Sequence, residues 1–226
     1  MAVILALDTS TEACSCALAI EGLVHEHFVV APQQHAGMIL GNIDALLREN
    51  GVGFDQLDAI AWGRGPGSFT GLRIAAGVTQ GIAFAAALPV VEVSTLAALA
   101  LDAWKTTGHR HVFACLDARI DEVYWGVFEI VDGLPVAIDS EGLCKPEAVP
   151  ASCLGGAMEW IAIGNGLSYA ARFPAELLAR VSRQLPDVLP RAGHIAAVAI
   201  AAYARGQTVA ADAVRPVYLR DKVTHQ

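Results

Sequence analysis

The chain has 226 residues, of which 54% are hydrophobic and 17% charged, and its formal net charge is −8. This composition excludes a disordered chain and predicts a sizeable core, in one large domain or two small ones. The 15 Lys and Arg side chains are spread thinly, which argues against a protein that binds nucleic acid by itself through a basic patch. The start of the sequence lacks a secretory pattern, and every long apolar run is interrupted. We therefore expect a soluble, cytoplasmic protein with no membrane partner.

Cysteine usage gives no sign of a disulfide framework or a metal site. The chain has 5 cysteines, and none forms a C-x-x-C pair. Cys14, Cys16 and Cys115 lie inside apolar alternating stretches, which is typical of small buried side chains. We predict reduced thiols in the core.

Three short strands joined by tight turns open the chain, and a helix follows them. The strands are predicted over residues 3–7, 14–20 and 23–30, with Glu21-Gly22 as a hairpin turn. Residues 33–50 predict a helix that Gly51 ends. One face of this helix carries the apolar side chains Ile39, Ile43, Leu46 and Leu47.

The rest of the first half alternates strands and helices. A strand over 57–62 leads through a glycine-rich loop into a long apolar helix that starts near Thr70. A strand over 90–93 follows, and then a helix to residue 104 that Ser94 caps. The order β-β-β-α-β-α-β-α matches, by analogy of pattern, the first half of an actin/hexokinase-type fold.

The second half begins with strands again. Strands over 111–117 and 122–131 flank a turn, and a loop-rich stretch covers 134–156. A strand over 160–163 ends at Gly164-Asn165-Gly166, and helices are predicted over 169–181 and 193–205. Because the halves begin alike, we predict lobes of residues 1–108 and 109–226. The tail of the second lobe is a candidate to pack back on the first.

The glycine-rich loop is the most informative motif, and it allows two interpretations. Glycines at a helix start allow several backbone N–H groups to point toward one place, which can form an anion-binding site. The same glycines also allow a tight strand-to-helix turn that binds no ligand. The spacing fits neither a Walker motif nor a dinucleotide-binding fingerprint. The loop motif comprises Gly65, Pro66, Gly67, Ser68, Phe69, Thr70 and Gly71.

Other polar residues are weaker candidates for chemistry. The turn of Asp8, Thr9, Ser10 and Thr11 after the first strand could meet nucleotide phosphate or simply cap its own backbone. His35 is a lone histidine at the start of the first predicted helix, and such a residue is more often a surface or capping residue than a metal ligand. The charged residues Asp117, Arg119, Asp121 and Glu122 favour a solvated hairpin, and Gly164-Asn165-Gly166 could approach an adenosine or only end a strand.

A stripe of small residues marks the helix after the loop. Gly77, Gly81 and Ala85 recur every four residues, while Ile74, Val78 and Ile82 cover another face. Glycine inside a helix costs roughly 1 kcal/mol relative to alanine, so something must offset it. We expect a second helix to approach closely, from within the domain or, as we favour, from a partner chain.

Four segments, in order from end to end, together resemble one protein family. They are residues 4–10, residues 65–74, residues 117–119 with 122–125, and residues 216–220. In these segments the chain is similar to the TsaB (YeaZ) family, accessory proteins of tRNA threonylcarbamoyladenosine (t6A) synthesis. The loop motif is the most specific of the four, and the resemblance covers essentially the whole chain.

The resemblance implies a fold and a role. The fold is a two-lobed actin-like ATPase (ASKHA, ribonuclease H-like) fold, with mixed sheets flanked by helices and no catalysis of its own. The role is that of a scaffold for the catalytic paralogue TsaD, which carries a metal and transfers threonylcarbamoyl to N6 of adenosine 37 in ANN-decoding tRNAs. The ATPase TsaE joins the pair, tRNA is met only through the complex, and the isolated chain forms a homodimer.

The resemblance also implies a partner surface on the two first-lobe helices, residues 33–50 and 72–87. Its predicted contacts are His35, Ile39, Arg73, Ile74, Gly77, Val78, Gly81 and Ala85. The paralogue's metal motif has two histidines on the first helix, whereas this chain has His35 with Ile39 one turn on, so no metal is expected.

We expect no stably bound cofactor and treat the turn at residues 8–11 as a vestigial phosphate turn. Weak ATP or ADP binding, at this turn or at the complex interface, stays open. An independent small-molecule kinase or ATPase of the same fold is the alternative. A peptidase would need a metal pair or nucleophile set that the sequence does not show.

Overall fold

The structure is a computed structural model that describes residues 2–156 and 158–220. These residues form two compact units. Unit 1 comprises the described residues up to Ala98 and those from Pro190 to Pro216, and unit 2 comprises the described residues from Leu99 to Leu189 and residues 217–220. The division differs from the predicted boundary at residue 108, because residues 99–108 belong to unit 2 and residues 190–216 belong to unit 1.

Unit 1 is built on a five-stranded mixed sheet of order β3-β2-β1-β4-β5. The strands are β1 (Ile4–Asp8), β2 (Ala13–Ile20), β3 (Leu23–Val30), β4 (Ala59–Gly65) and β5 (Val90–Ser94). β2 is antiparallel to both its neighbours, while β1, β4 and β5 run parallel. The helices of the chain are α1 (His35–Glu49), α2 (Phe69–Ala85), α3 (Thr95–Thr107), α4 (Ala175–Leu178) and α5 (Ala192–Ala204).

The central strand β1 is buried on both faces, as expected for a parallel strand covered by helices. Leu5 and Leu7 pack into the cluster that α1 and α2 cover, and Ile4 and Ala6 pack into the cluster that α5 covers. The predicted apolar face of α1 is confirmed, since its four apolar residues are buried in the first of these clusters. Ser94 caps α3 as predicted, because its hydroxyl accepts hydrogen bonds from the backbone N–H groups of Leu96 (3.1 Å) and Ala97 (3.2 Å).

Unit 2 repeats the strand topology of unit 1. Its sheet has the strand order β11-β10-β6-β7-β8. β7 is antiparallel to both of its neighbours, β6 and β8, while β6, β10 and β11 run parallel. This is the order of unit 1 with β6 in the place of β1, which confirms the predicted ribonuclease H-like class. The strands are β6 (His111–Arg119), β7 (Glu122–Val131), β8 (Leu134–Ala137), β9 (Gly142–Cys144), β10 (Trp160–Ile163) and β11 (Val181–Leu185).

Two sequence predictions in unit 2 are corrected. The helix predicted over 169–181 is wrong: the chain forms a 3-10 helix (Asn165–Arg172), the short α4 and the start of β11. Pro174 is the cause, since it lacks an N–H group and holds Phe173 in an extended conformation with ψ of 150°. The stretch predicted as loop contains β8 and β9, which both pair with β7.

The cysteine prediction is confirmed, because all five cysteines are free thiols and four of them are buried. Burial raises the pKa of the Cys14 thiol to about 11, so it stays protonated at neutral pH. Among the described residues, no helix combines the length and the apolar character that a bilayer crossing needs.

Candidate functional site

The turn after β1, residues 8–11, is closed on itself. One carboxylate oxygen of Asp8 accepts hydrogen bonds from the backbone N–H (3.0 Å) and the hydroxyl (2.8 Å) of Ser10. The other oxygen, Oδ2, has no hydrogen-bond partner among the described residues, and the side chain is fully buried. Burial in this apolar setting raises the pKa of Asp8 from 3.8 to about 7. The local geometry is therefore the Asx-type turn, one of the two alternatives from the sequence.

The loop motif packs directly on this turn. The backbone N–H of Ser68 donates to the carbonyl oxygen of Ser10 (2.7 Å), and the hydroxyl of Thr9 donates to the carbonyl oxygen of Gly71 (2.7 Å). From the start of α3, Thr95 donates its hydroxyl to the carbonyl oxygen of Pro66 (2.5 Å). Three hydrogen bonds thus hold the loop between β1 and α3.

This packing explains two glycines of the loop motif, Gly67 and Gly71. A Cβ at Gly71 would overlap the carbonyl oxygen of Thr9, and a Cβ at Gly67 would lie 2.5 Å from the carbonyl oxygen of Ser10. Gly63 is constrained in the same way, because its Cβ would overlap Oδ2 of Asp8. The glycines permit close approach of protein to protein. The tight-turn interpretation accounts for them without a ligand.

The turn does not fit a nucleotide phosphate well. Asp8, Thr9 and Ser10 are at most 1% exposed, and their polar groups bond to the chain itself apart from the one Asp8 oxygen. Thr11 is partly exposed, and its hydroxyl accepts from the backbone N–H of Ala13 (3.3 Å). An ionised carboxylate oxygen at this depth would also repel an anion.

The predicted stripe on α2 lies on the outside of unit 1. Gly77, Gly81 and Ala85 are exposed, and a Cβ added at either glycine meets no atom within 4 Å. The stripe is therefore not used for packing among the described residues, which removes one of the two explanations from the sequence. The same holds for Gly37 and Gly41 on α1, a second pair at four-residue spacing that the sequence interpretation missed.

Exposed apolar side chains accompany the two small-residue stripes. Phe84 on α2 is 83% exposed and Leu40 on α1 is 57% exposed. A pocket of about 450 Å³ opens beside the C-terminal end of α2, next to Phe54, which is itself 42% exposed. Its lining residues are Phe54, Asp55, Gly81, Ile82, Ala85 and Ala86. We call the exposed faces of α1 and α2, with this pocket, the α1–α2 surface.

Two of the residues predicted to contact a partner do not lie on this surface. Ile39 is fully buried in the core beneath α1. His35 is 7% exposed, and its Nε2 lies 3.2 Å from the carbonyl oxygen of Ala13. Both belong to the inward face of α1 and are removed from the predicted contact set. Ile74 and Val78 are half-buried at the edge of the surface.

Arg73 lies on the exposed face of the first turns of α2. Its guanidinium carbon is 3.8 Å from the centroid of the Phe69 ring, a cation–π contact between two exposed side chains. Ser68 begins the helix, and its hydroxyl accepts a long hydrogen bond (3.4 Å) from the backbone N–H of Gly71. The loop motif therefore also determines the residue at which α2, and with it this part of the α1–α2 surface, begins.

In unit 2, the polar candidates serve local structure. The side-chain oxygen of Asn165 accepts from the backbone N–H of Asp117 (3.0 Å), and a Cβ at Gly164 would overlap the carbonyl oxygen of Cys115. The residues at 164–166 therefore join β10 to β6. In residues 2–156 and 158–220, no three His, Cys, Asp or Glu side chains are grouped so as to hold a metal ion.

Comparison with known proteins places the chain in a family. The chain is 39% identical to "tRNA threonylcarbamoyladenosine biosynthesis protein TsaB" of Escherichia coli (strain K12), over 97% of this chain and 95% of the relative. The chain belongs to the TsaB family. The protein of the same name from Haemophilus influenzae is 38% identical, over 98% of this chain and 94% of the relative.

Two further findings extend the TsaB assignment. The solved structure of YeaZ from Pseudomonas aeruginosa is 45% identical, with a TM-score of 0.92, and the match covers 97% of this chain and 100% of that one. A broader family described as "TsaD: tRNA N6-adenosine threonylcarbamoyltransferase" matches residues 29–225. The TsaB chain thus shares its fold with a family that is described by a transferase activity.

Proposed function

We propose that this TsaB-family chain is a non-catalytic scaffold subunit of tRNA threonylcarbamoyladenosine synthesis. It binds and supports a TsaD-type transferase, which modifies adenosine 37 of ANN-decoding tRNAs, and the ATPase TsaE joins the pair. The observation that carries this proposal is the α1–α2 surface. The remaining support comes from the closed turn after β1 and from the family.

The exposed glycines are the first argument for a helical partner. Gly37, Gly41, Gly77 and Gly81 lie inside α1 and α2 and contact nothing on their open side. Each such glycine costs about 0.5–1 kcal/mol of helix stability relative to alanine, and residues 2–156 and 158–220 offer no packing to offset it. Small residues let a second helix approach to about 8 Å between axes, at the short end of helix packing distances. A partner helix seated on these stripes offsets the cost.

Exposed apolar side chains beside the stripes are the second argument. Phe84 is 83% exposed, and it precedes Ala85, which lines the pocket, in the sequence of α2. Interfaces draw most of their affinity from a few aromatic anchors in desolvated positions. Phe84 and Leu40 are suited to be such anchors, with the pocket receiving an apolar side chain of the partner.

The closed turn after β1 supports a role without phosphoryl chemistry. Enzymes of that class position a phosphate and its metal with free oxygens and N–H groups. Here Asp8, Thr9 and Ser10 are buried, and the loop motif fills the space against them. A scaffold needs this turn only as structure.

Calorimetric titration with the TsaD protein of the same organism, without tRNA or nucleotide, tests the proposal. We expect stoichiometric binding of micromolar strength or tighter. Gly81→Leu should abolish binding, because its side chain fills the stripe while the free chain has room for it. Gly155→Leu is the control, since Gly155 is also exposed with nothing within 4 Å but belongs to unit 2 rather than to α1 or α2.

The outcomes separate the candidate functions. If Gly81→Leu binds normally, the interface does not include the α2 stripe, although the scaffold role still stands. Absence of binding by the unmodified chain, together with ATP hydrolysis in the presence of a small phosphate acceptor, would favour the independent kinase or ATPase.

A further inference from the structure

Two of the segments that carry the family resemblance lie outside the α1–α2 surface, and the structure brings them together. One is the hairpin of β6 and β7, and the other is the tail at residues 216–220. The Nη2 group of Arg220 donates to the carbonyl oxygen of Ala118 (3.1 Å) and to Oε2 of Glu122 (2.5 Å). Ala118 and Glu122 stand on either side of the hairpin turn. A single guanidinium therefore bridges the base of the turn.

The backbone of this turn is unusual for its residues. Arg119, Ile120 and Asp121 are consecutive and left-handed, with φ of 62°, 54° and 58°. The chain's other two-residue hairpin turns place glycine at the second position, Glu21-Gly22 and Asp132-Gly133. A β-branched residue such as Ile120 disfavours positive φ. The β6–β7 turn is therefore held by contacts beyond its own backbone preference.

Those contacts come from both flanks. Arg172 on the 3-10 helix lies 3.1 Å from Oδ1 of Asp121 and 3.1 Å from Oε2 of Glu147. Arg220 pairs with the next residue, Glu122, and its side chain is 22% exposed against 38% for Arg172. The less exposed pair is less screened by water and salt. The tail contact is thus the stronger candidate to fix the turn.

We propose that Arg220 is a positioning residue that latches the β6–β7 hairpin. While the tail is docked, the tip keeps its left-handed conformation and presents Ile120, which is 68% exposed, in a fixed place. When the tail is drawn away, the turn loses its bridge and relaxes. Docking of residues 217–220 therefore sets the conformation of the hairpin tip.

Hydrogen exchange of the full chain, read by mass spectrometry on peptides that span the turn, tests the latch. Arg220→Gln should speed exchange of the turn amides about tenfold, as expected for the loss of one charge-assisted hydrogen bond. Glu122→Gln should have a similar effect, and the double variant should exchange no faster than the single ones, because both remove one interaction. Arg220→Lys should restore part of the protection.

Two comparisons keep the result specific. Arg183→Gln is the control, since Arg183 is exposed on β11 and makes no ion pair with the described part of the chain. In the unmodified chain, added salt should raise exchange at the turn more than in α1 or α2. Unchanged exchange at the turn in Arg220→Gln, or equal acceleration throughout unit 2, would overturn the latch.

Discussion

Asp8 shows how one buried side chain can give the molecule a pH dependence. Its carboxyl receives two hydrogen bonds from Ser10 and none at Oδ2 within the described residues, and the side chain is fully buried. The folded chain therefore prefers the protonated acid. Both of the hydrogen bonds that lower this pKa come from Ser10, and burial outweighs them.

The pKa of Asp8 rises from 3.8 to about 7 on folding, so the folded state holds a proton that the unfolded chain releases. This contribution to stability is complete below the unfolded pKa and is lost as the pH rises through the folded one. In Asp8→Asn the group no longer titrates. Urea denaturation should show that the free energy of unfolding of the parent falls relative to that of the variant from about pH 4 to about pH 7. Parallel profiles would show that Asp8 ionises in the fold as it does in the unfolded chain.

At the scale of elements, α2 combines poor helix preference with an exposed apolar face. Helices of soluble chains usually place their apolar residues inward, and here both faces carry them. The exposed apolar side chains are stabilised only if another protein surface covers the outer face of α2.

Gly77→Ala separates the stability of α2 from its use. The site is exposed, helical and open, so alanine should raise the free energy of unfolding by about 0.5–1 kcal/mol. It should at the same time weaken the interaction with the TsaD protein, since a methyl group holds the partner helix further away. Denaturant titration and calorimetry on the same preparation measure both effects. A variant that is more stable and binds equally well would place Gly77 outside the interface.

The elements also show what the sequence could and could not predict. The core face of α1 follows from the spacing of Ile39, Ile43 and their neighbours, because burial imposes that period. The helix predicted through Pro174 was wrong, since local periodicity outweighed the breaker in the interpretation. The sequence alone could not show that the α2 stripe faces outward, because small residues are equally compatible with internal and external helix contacts. The Arg220 contact joins residues about a hundred positions apart, which no local pattern reveals.

On the scale of the whole molecule, the α1–α2 surface should govern self-association. An apolar patch without a partner favours a symmetric dimer, in which each copy covers the other. Sedimentation of the isolated chain should show a homodimer, and Phe84→Asp should give monomers by placing a charge at the most exposed aromatic side chain. Ile138→Asp is the control, since that exposed residue lies in unit 2. A dimer that survives Phe84→Asp would have to use another face.

The discontinuity of unit 1 has a consequence for the order in which the chain folds during synthesis. The cluster around Ile4 and Ala6 is covered by α5, which leaves the ribosome about 100 residues after Ala98. At about 5–20 residues per second, the strands made up to Ala98 therefore wait roughly 5–20 s with one face of their sheet bare. The continuous stretch Leu99–Leu189 of unit 2 is complete before then. The strands that are made first therefore receive the cover of α5 only after most of unit 2 has been made, and during this interval chaperones have an exposed apolar face to protect.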